Sequence, residues 1–269
     1  MQIHTSSSVT SVARKCRAVF FGALLAAQIT SAAVVVLPNG NRVEGTDIRA
    51  SRTGDIVLTT PAGQRTFTKG QYVQAIADKP AAFDQARALA GQGKHDEAIA
   101  MLETIVTELR YLDWDNKSLI AIAQIQSGRN KHAEAVDAYD RLFRQAPELK
   151  QDAVAQWAYR AALLAAGQYE KLQPSLDEAI AKGSRTDAAK AQIMRGDIRL
   201  AQGQVDAAVM DYLRSAILFE AETSVQPEAL FKAGQGLEKL RDPRAKDMYR
   251  KLVSKYPSSS FAQEAKSKL

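Results

Sequence analysis

The spacing of hydrophobic and polar residues changes near Pro80. Between residues 34 and 78, short apolar and β-branched runs alternate with turn residues, as in DIVLTT at 55–60 and RTFTK at 65–69. Beyond Pro80 the apolar residues instead recur every three or four positions, as in amphipathic helices. The pattern therefore predicts a mostly α-helical protein, with a small β region at 34–78 and a helical region at 80–269.

Five short strands are predicted in the β region. VVVLP at 34–38 and NRVEGT at 41–46 flank Asn39-Gly40, a dipeptide typical of type I′ turns because both central residues of that turn need φ > 0. The turn PAGQ at 61–64 joins the next two strands, and YVQAI at 72–76 forms the last. The NG turn, a V-x-G and a later G-x-x-x-F resemble SH3-like or Sm-like small barrels. A simple meander packed on the first helices is the alternative.

A small or apolar residue recurs in the helical region at spacings of 37, 37, 36 and 37 residues. The five positions are Ala98, Ala135, Leu172, Ala208 and Ala245. A larger apolar residue follows each of them by four positions: Leu102, Tyr139, Leu176, Tyr212 and Tyr249. A turn glycine precedes most of them: Gly93, Gly128, Gly167 and Gly203. Pro147 and Pro257 each follow the alanine of their repeat by twelve residues, where a second helix should stop.

This pattern resembles the tetratricopeptide repeat, a helix–turn–helix unit in which small residues let the two helices approach closely. The resemblance implies an α-solenoid of about five hairpins, and the regular spacing favours it over a run of unrelated amphipathic helices. The repeats are degenerate. Two extra residues separate Gly128 from Ala135, and residues 240–243 replace the turn glycine of the fifth repeat. The small residue early in the first helix corresponds to Ala86, Ala121, Gly196 and Ala233, but to Arg160 in the third repeat.

A terminal helix is predicted after Pro257. Ser258, Ser259 or Ser260 can cap it, and a solenoid needs such a helix to cover its last apolar face. Its apolar residues at helical spacing are Phe261, Ala262, Ala265 and Leu269. Residues 245–265 resemble the last repeat of periplasmic tetratricopeptide proteins of the Tol-Pal system, and of the helical lipoprotein of the outer-membrane barrel assembly machine. The chain departs from both in having no lipobox cysteine and no N-terminal coiled-coil heptads.

The first 33 residues have the features of a secretory signal peptide. Arg14, Lys15 and Arg17 precede the apolar run AVFFGALLAAQI at 18–29, and TSAA at 30–33 offers small residues for cleavage near Ala33. An uncleaved membrane anchor is the alternative, although a spanning helix needs roughly 20 apolar residues. The sequence thus predicts a periplasmic or secreted protein.

Removal of this segment would change the composition of the mature chain. The only cysteine, Cys16, lies ahead of the apolar run, so the mature chain is expected to have no thiol, disulfide or lipid. The formal net charge falls from +6 to +3, because three of the 36 basic residues and none of the 30 acidic residues lie within residues 1–33. This small excess does not favour a nucleic-acid partner.

The sequence predicts no catalytic, metal or cofactor site. His95 and His132 fall at the turns between helices, and each lies beside a carboxylate only in sequence. The mature chain has no cysteine nucleophile, no Gly-x-Ser-x-Gly and no P-loop. We therefore expect a protein without enzymatic activity.

Binding of other proteins is the predicted function. Stacked hairpins leave the first helix of each repeat on a concave face, where exposed side chains can hold a peptide or helix. The candidate residues are Phe83, Arg87, Ile122, Trp157, Lys190 and Asp197. Trp157 is either a binding anchor or a residue packed between repeats, whereas Tyr111, Leu112 and Trp114 are expected to pack in a seam.

These expectations describe a periplasmic adaptor for other envelope proteins, and the architecture also allows self-association. Two alternatives remain open from the sequence. One is a structural protein whose β region contacts peptidoglycan or a membrane complex. The other is a regulatory subunit of an exported enzyme.

Overall fold

The computed structural model describes residues 33–269, so residues 1–32 of the predicted signal peptide, with Cys16, lie outside the described residues. The strands are β1 (Ala33–Val36), β2 (Arg42–Gly45), β3 (Asp47–Ala50), β4 (Ile56–Thr60), β5 (Gly63–Phe67) and β6 (Gln74–Ile76). Helices follow from Ala81 onward. None of the helices in this part of the chain combines the length and apolarity that a membrane crossing requires.

The strands form two three-stranded antiparallel sheets, with the orders β2-β1-β6 and β3-β4-β5. In the first sheet, Val35 lies opposite Val43 on one side and Ala75 on the other. In the second, Leu58 faces Ile48 and Arg65. The small β region is confirmed with six strands instead of five, and its likeness to SH3-like or Sm-like barrels stays a prediction.

The additional strand, β3, arises because one extended stretch contributes to both sheets. The chain bends at Gly45-Thr46, where the amide of Thr46 donates a hydrogen bond to the carbonyl of Thr59 at 2.8 Å. A Cβ at Gly45 would lie 2.5 Å from the same carbonyl oxygen and 2.6 Å from Cδ1 of Leu58. Only glycine permits this approach between the sheets.

The first hairpin is confirmed, but the predicted type I′ turn is wrong. The amide of Gly40 bonds to the carbonyl of Leu37 at 2.9 Å, which places Pro38 and Asn39 at the centre of the turn. Gly40 follows with φ = +83°, whereas Asn39 is not left-handed. Proline fixes its own φ near −65° and so favours a type I turn followed by a left-handed glycine. The second hairpin is also tighter than predicted, because β5 already begins at Gly63.

Five helical hairpins follow, as predicted. Their helices are α1 (Ala81–Gly91) and α2 (His95–Glu108), α3 (Trp114–Gly128) and α4 (His132–Gln145), α5 (Ala153–Ala165) and α6 (Tyr169–Lys182), α7 (Arg185–Ala201) and α8 (Val205–Leu218), and α9 (Gln226–Lys239) and α10 (Ala245–Lys255). A short 3-10 helix, Pro147–Gln151, joins the second hairpin to the third. The terminal helix is α11 (Ser260–Lys266).

A large residue of the second helix packs onto a small residue of the first helix in each of the last two hairpins. A Cβ at Gly196 would lie 2.5 Å from the ring of Tyr212, and one at Gly234 would lie 2.5 Å from the ring of Tyr249. The repeated small residues and their partners four positions later are all buried. In the third hairpin the position of the small residue is occupied by Arg160. Its Nε donates to Oγ of Ser175 on the second helix at 2.7 Å.

The structure corrects the register of the second repeat. Gly93, Gly167 and Gly203 are left-handed and lie five residues before the repeated position, and in the second repeat Asn130 (φ = +59°) takes this place instead of Gly128. Asparagine tolerates this conformation better than most residues. The two extra residues are therefore no insertion. In the same repeat, Ala123 is fully buried, whereas the predicted Ala121 is only partly buried.

The β region and the helices share one core. Nε1 of Trp114 donates to the carbonyl of Ala77 at 2.9 Å, and its ring meets the Phe83 ring edge-on at 5.1 Å between centroids. The buried cluster runs without interruption from Val35 and Leu58 through the first three hairpins to Ala191 and Ile198 of α7. The predicted seam position of Trp114 and Leu112 is confirmed.

The terminal helix covers the last hairpin. Among the predicted caps, Ser259 is used, since its Oγ accepts from the amide of Ala262 at 3.3 Å. Ala262 and Ala265 are fully buried, and Phe261 packs on Phe231 with 5.5 Å between ring centroids. Leu269 was predicted to share this face but is 46% exposed, because α11 ends at Lys266.

From the close contact between Gly196 and Tyr212 we predict how a substitution at Gly196 changes the stability of the fold. Gly196→Ala should lower the free energy of unfolding by about 1–3 kcal/mol, because the added methyl overlaps a ring that is buried and hydrogen-bonded to Asp197. Urea denaturation measures the change. Gly128→Ala is the matched control, since a Cβ there meets nothing within 4 Å, and it should be neutral or stabilise by up to about 1 kcal/mol. Equal effects of the two substitutions would contradict the packing account.

Candidate partner-binding groove

Side chains connect the first helices of the last three hairpins at two places. Nε1 of Trp157 on α5 donates to Oδ1 of Asp187 on α7 at 2.9 Å. Nζ of Lys232 on α9 lies 2.6 Å from Oδ2 of Asp197 on α7. We call the two places together the first-helix groove, and its residues are Trp157, Asp187, Lys190, Asp197, Lys232, Glu238, Lys239 and Lys268.

Trp157 is held in place within the groove. Its indole N–H is bonded to Asp187, the guanidinium of Arg160 lies 4.6 Å from the ring centroid, and Nζ of Lys190 lies 5.5 Å from it. The side chain is half-buried. Trp157 therefore packs between two repeats while part of its ring remains at the surface, so it combines the two roles that the sequence left open.

Asp187 is fixed by the start of α7. Oγ of Ser184, the N-cap residue, accepts from the amide of Asp187 at 3.1 Å and donates to its Oδ2 at 2.7 Å. The hydrogen bond from Ser184 lowers the pKa of Asp187 most, and the indole of Trp157 and the charge of Lys190 lower it further. The carboxylate therefore stays ionised as the acceptor for the indole.

A second cluster lies where α7 meets α9. Nζ of Lys232 contacts Asp197 at 2.6 Å and Glu228 at 2.9 Å, while the hydroxyl of Tyr212 donates to Oδ1 of Asp197 at 2.8 Å. Burial lowers the pKa of Lys232, but the two carboxylates outweigh it and leave that pKa above its usual value. A cavity of about 420 Å³ opens beside this cluster, with Leu200 on its wall.

Two lysines of the groove are exposed without an ion pair, whereas its carboxylates all have hydrogen-bond partners. Each carboxylate there has a partner: Asp187 binds Trp157 and Ser184, Asp197 binds Lys232, and Glu238 accepts from Tyr249 and Lys268. Lys190 and Lys239 are exposed and form no ion pair within residues 33–269. A bound segment with acidic residues would find the ammonium group of Lys190 beside the Trp157 ring and that of Lys239 at the C-terminal end of α9.

The structure divides the six predicted binding residues into three groups. Trp157 and Lys190 lie together in the first-helix groove, Asp197 lies farther along α7 beside Lys232, and Arg87 is exposed on α1. Phe83 and Ile122 are only 9% and 3% exposed. Both belong to the core because they pack between neighbouring helices, so their prediction as exposed groove residues is wrong.

Lys232 and Lys239 were missed because they follow no sequence motif. Lys232 lies 35 residues after Asp197, close to one repeat period, so projecting Asp197 onto the next repeat would have found its neighbourhood. Within residues 33–269, no group of three or more His, Cys, Asp or Glu side chains is arranged to hold a metal ion.

Comparisons with known proteins support the helical repeats. Residues 228–259 match the tetratricopeptide repeat family, and this segment covers most of the fifth hairpin. No curated protein sequence matches the chain, whereas seven chains of solved structures do.

Three of these structures illustrate the likeness. YrrB, a tetratricopeptide protein with an unusual peptide-binding site, is 16% identical, with 69% of this chain and 90% of that chain covered and a TM-score of 0.45. MamA from residue 41 to its end, from Desulfovibrio magneticus RS-1, is 17% identical, with coverages of 67% and 98% and a TM-score of 0.47. The ArsTM double mutant of MamA RS-1 is 18% identical, with coverages of 65% and 94% and a TM-score of 0.47.

The bonds of Asp187 predict a pH-dependent contribution to stability. Because its pKa is lowered in the folded state, the contribution is present above the ordinary value of 3.8 and is lost as the pH falls through the lowered pKa. Asp187→Asn should therefore destabilise the protein at neutral pH, by less than about 1 kcal/mol because solvent screens the site. Urea denaturation across a pH series should show the difference vanish in acid.

Asp206→Asn is the control for this series. Asp206 also lies in the first turn of a helix and is exposed, but its carboxylate has no side-chain partner within the described residues. The loss of unfolding free energy caused by Asp206→Asn at neutral pH should be smaller than that caused by Asp187→Asn. Equal losses for the two variants would mean that the bonds to Ser184 and Trp157 add no stability.

Proposed function

We propose that this protein is a tetratricopeptide-type adaptor of the bacterial cell envelope, which holds an acidic peptide or helix of another protein in the first-helix groove. The proposal of an acidic ligand is based on one observation. Asp197 and Glu238 each bind a lysine and Asp187 is hydrogen-bonded to Trp157 and Ser184, whereas Lys190 and Lys239 are exposed without an ion pair among residues 33–269. Complementary charge favours an acidic segment and discriminates against basic ones.

The groove is suited to binding because its side chains are already ordered. Trp157 is fixed by Asp187 and Arg160, and Lys232 is fixed by Asp197 and Glu228. Little side-chain entropy then has to be lost when a partner arrives. The part of the Trp157 ring that remains exposed offers an apolar contact, and rigid aromatic residues often dominate such interfaces.

The envelope location rests on the sequence. Residues 14–33 have the charge, apolar run and small residues of an export signal. The resemblance of residues 245–265 to periplasmic tetratricopeptide proteins points to the same compartment. An adaptor located there would bind other exported or membrane-anchored proteins.

Site-specific cross-linking in cells tests the groove. A photoreactive residue at Lys190 should capture one defined protein, with the cross-link on an acidic segment located by mass spectrometry. The same residue at Met210, which is 50% exposed on α8 and outside the groove, is the control. The adaptor proposal fails if position 190 captures no protein, or the same proteins as position 210.

Charge reversal tests the chemistry of recognition. The double variant Lys190→Glu and Lys239→Glu should bind the captured segment at least about tenfold more weakly, equivalent to about 1.4 kcal/mol, when measured by calorimetry. Reversal of Lys131 and Lys150 changes the net charge equally on exposed lysines outside the groove and should leave the affinity within about twofold. Equal losses would indicate attraction by net charge without a specific groove.

Export is tested separately. The chain purified from the periplasm should begin at Val34 by N-terminal sequencing, and Leu24→Arg should leave the precursor in the cytoplasm because it interrupts the apolar run. Leu24→Val is the control and should still be exported. A chain that retains residues 1–33 and fractionates with the cytoplasm would overturn the envelope assignment while leaving the groove proposal intact.

A further inference from the structure

An apolar groove runs along the outer side of the first hairpin, where the helical stack begins. It has a volume of about 520 Å³ and extends along α2 from Glu97 to Glu108, between that helix and the start of α1. We call it the end groove, and its apolar residues are Pro80, Ala82, Ala100, Met101, Ile105 and Leu109. None of them belongs to the first-helix groove.

The end groove lies on the side of α2 that faces away from the next hairpin. Residues that recur every three or four positions share one side of a helix, and the groove contains such a stripe of α2: Glu97, Met101, Thr104 and Glu108. Glu103 lies on the opposite side, where its carboxylate accepts hydrogen bonds from Arg141 of α4 at 2.6 and 2.7 Å. The end groove is therefore the first face of the stack.

In the rest of the stack a helix covers the corresponding face. Each later first helix packs on the second helix of the preceding hairpin: α3 on α2, α5 on α4, α7 on α6 and α9 on α8. The positions of Ala82 and Met101 recur 37 residues later as Leu119 and Ala138, which are 0% and 1% exposed. Ala82 and Met101 are only partly buried. Among residues 33–269 no helix precedes α1, so this face keeps room for one.

The charged side chains that line the end groove are acidic. Glu108 is exposed and forms no ion pair within the described chain. The carboxylate of Glu97 lies 3.9 Å from Nζ of Lys94, and both side chains are more than half exposed. No lysine, arginine or histidine of this part of the chain lines the groove. Complementary charge therefore favours an incoming helix that carries basic side chains.

Ion pairs between neighbouring second helices show how charge is matched elsewhere in the stack. Arg141 of α4 pairs with Glu103 of α2. Lys171 of α6 likewise pairs with Asp140 of α4, so the later helix supplies the base in both cases. Two repeats before Lys171, the same position on α2 is Glu97. Here the later helix supplies an acid, so the helix that covers it is expected to supply the base.

A second copy of this chain fits the end groove poorly. At the other end of the stack α11 covers the last hairpin, where Phe261 packs on Phe231, so α10 is not free to extend the stack into another copy. Two end grooves placed face to face would bring Glu97 and Glu108 of both copies together, and like charges repel. The occupant is therefore expected to belong to another protein.

We propose that the end groove binds an amphipathic helix of another protein, whose apolar stripe lies on Ala100 and Met101 and whose lysine or arginine side chains pair with Glu97 and Glu108. The step of eleven residues between the two acids spans about 16 Å, or about three helical turns. A helix of this length with apolar residues at i, i+4 and i+7 matches the groove. Its basic character separates this partner from the acidic one proposed for the first-helix groove.

Stapled peptides test the proposal, because a staple keeps a short peptide helical in solution. The basic probe has about 18 residues, or five turns, with leucines at i, i+4, i+7 and i+11 and lysines beside them. The neutral probe replaces each lysine by glutamine. The scrambled probe has the residues of the basic probe in an order without the leucine stripe. Binding to the purified protein is measured by fluorescence anisotropy.

We expect saturable binding of the basic probe, about three- to tenfold weaker binding of the neutral probe, and at least about tenfold weaker binding of the scrambled probe. The neutral probe keeps the apolar contact but loses the pairs with Glu97 and Glu108, and exposed ion pairs each contribute little. The variant with Lys190→Glu and Lys239→Glu should bind the basic probe within about threefold of the unaltered protein, so the two surfaces are tested independently.

Two variants locate the bound probe. Ala100→Arg fills the groove from an exposed position, and the pair Glu97→Lys and Glu108→Lys reverses its charge. Each should weaken binding of the basic probe at least about tenfold. The pair Glu134→Lys and Glu148→Lys is the matched control, because it changes the net charge equally at exposed carboxylates outside the groove. The control should alter the affinity by less than about twofold. Melting temperatures should match that of the unaltered protein, since every substituted residue is exposed.

Four binding results would overturn the proposal. They are no saturable binding of the basic probe, equal affinity for the neutral and basic probes, equal affinity for the scrambled and basic probes, and equal losses for Ala100→Arg and the control pair. Analytical ultracentrifugation supplies a further check. A dimer of the protein that Ala100→Arg dissociates would show that a second copy occupies the groove, and would also overturn the proposal.

Discussion

The architecture depends on how closely the two helices of a hairpin can approach. Where Tyr212 lies over Gly196, and Tyr249 over Gly234, the ring occupies the space that any side chain would need. The hydroxyls of both tyrosines are anchored to carboxylates of the preceding helix, Asp197 and Glu238. Each contact therefore fixes both the separation and the rotation of its helix pair. Because every hairpin buries its apolar face only against its neighbours, these local distances set the shape of the stack.

The same contacts connect the core to the groove. Asp197 binds the buried Tyr212 with one oxygen and the groove residue Lys232 with the other. Glu238 similarly joins the buried Tyr249 to Lys268 near the C-terminus. The orientation of the binding surface is thus determined by the packing beneath it. With these acids already paired, the charge left for the proposed partner is that of lysines without an ion pair, which is the basis for proposing an acidic segment although the whole chain is only mildly basic.

The β region is integrated with the helices, because Trp114 bonds to Ala77 and packs edge-on against Phe83 in a common core. This attachment leaves a cavity of about 680 Å³ between the β region and the second hairpin, whose walls come from segments that are far apart in sequence. It also explains the buried carboxylate of Asp115. The turn that brings α3 under the β region needs an acceptor for the amide of Tyr111, and Oδ2 of Asp115 supplies it.

The sequence by itself determined the order of elements, the five hairpins and the terminal helix, because periodic spacing and turn residues act locally. It also named Trp157, Lys190 and Asp197 as binding residues; the structure places all three on first helices, and their role in binding stays a prediction. Tertiary structure decided the features that depend on contacts between residues far apart in the sequence. Phe83 and Ile122 became core because neighbouring elements cover them, Asn130 replaced Gly128 at the turn, and β3 formed because the chain crosses between two sheets. Lys232 and Asp115 acquired their roles in the same way, since the free energy of a charge depends on which distant groups surround it.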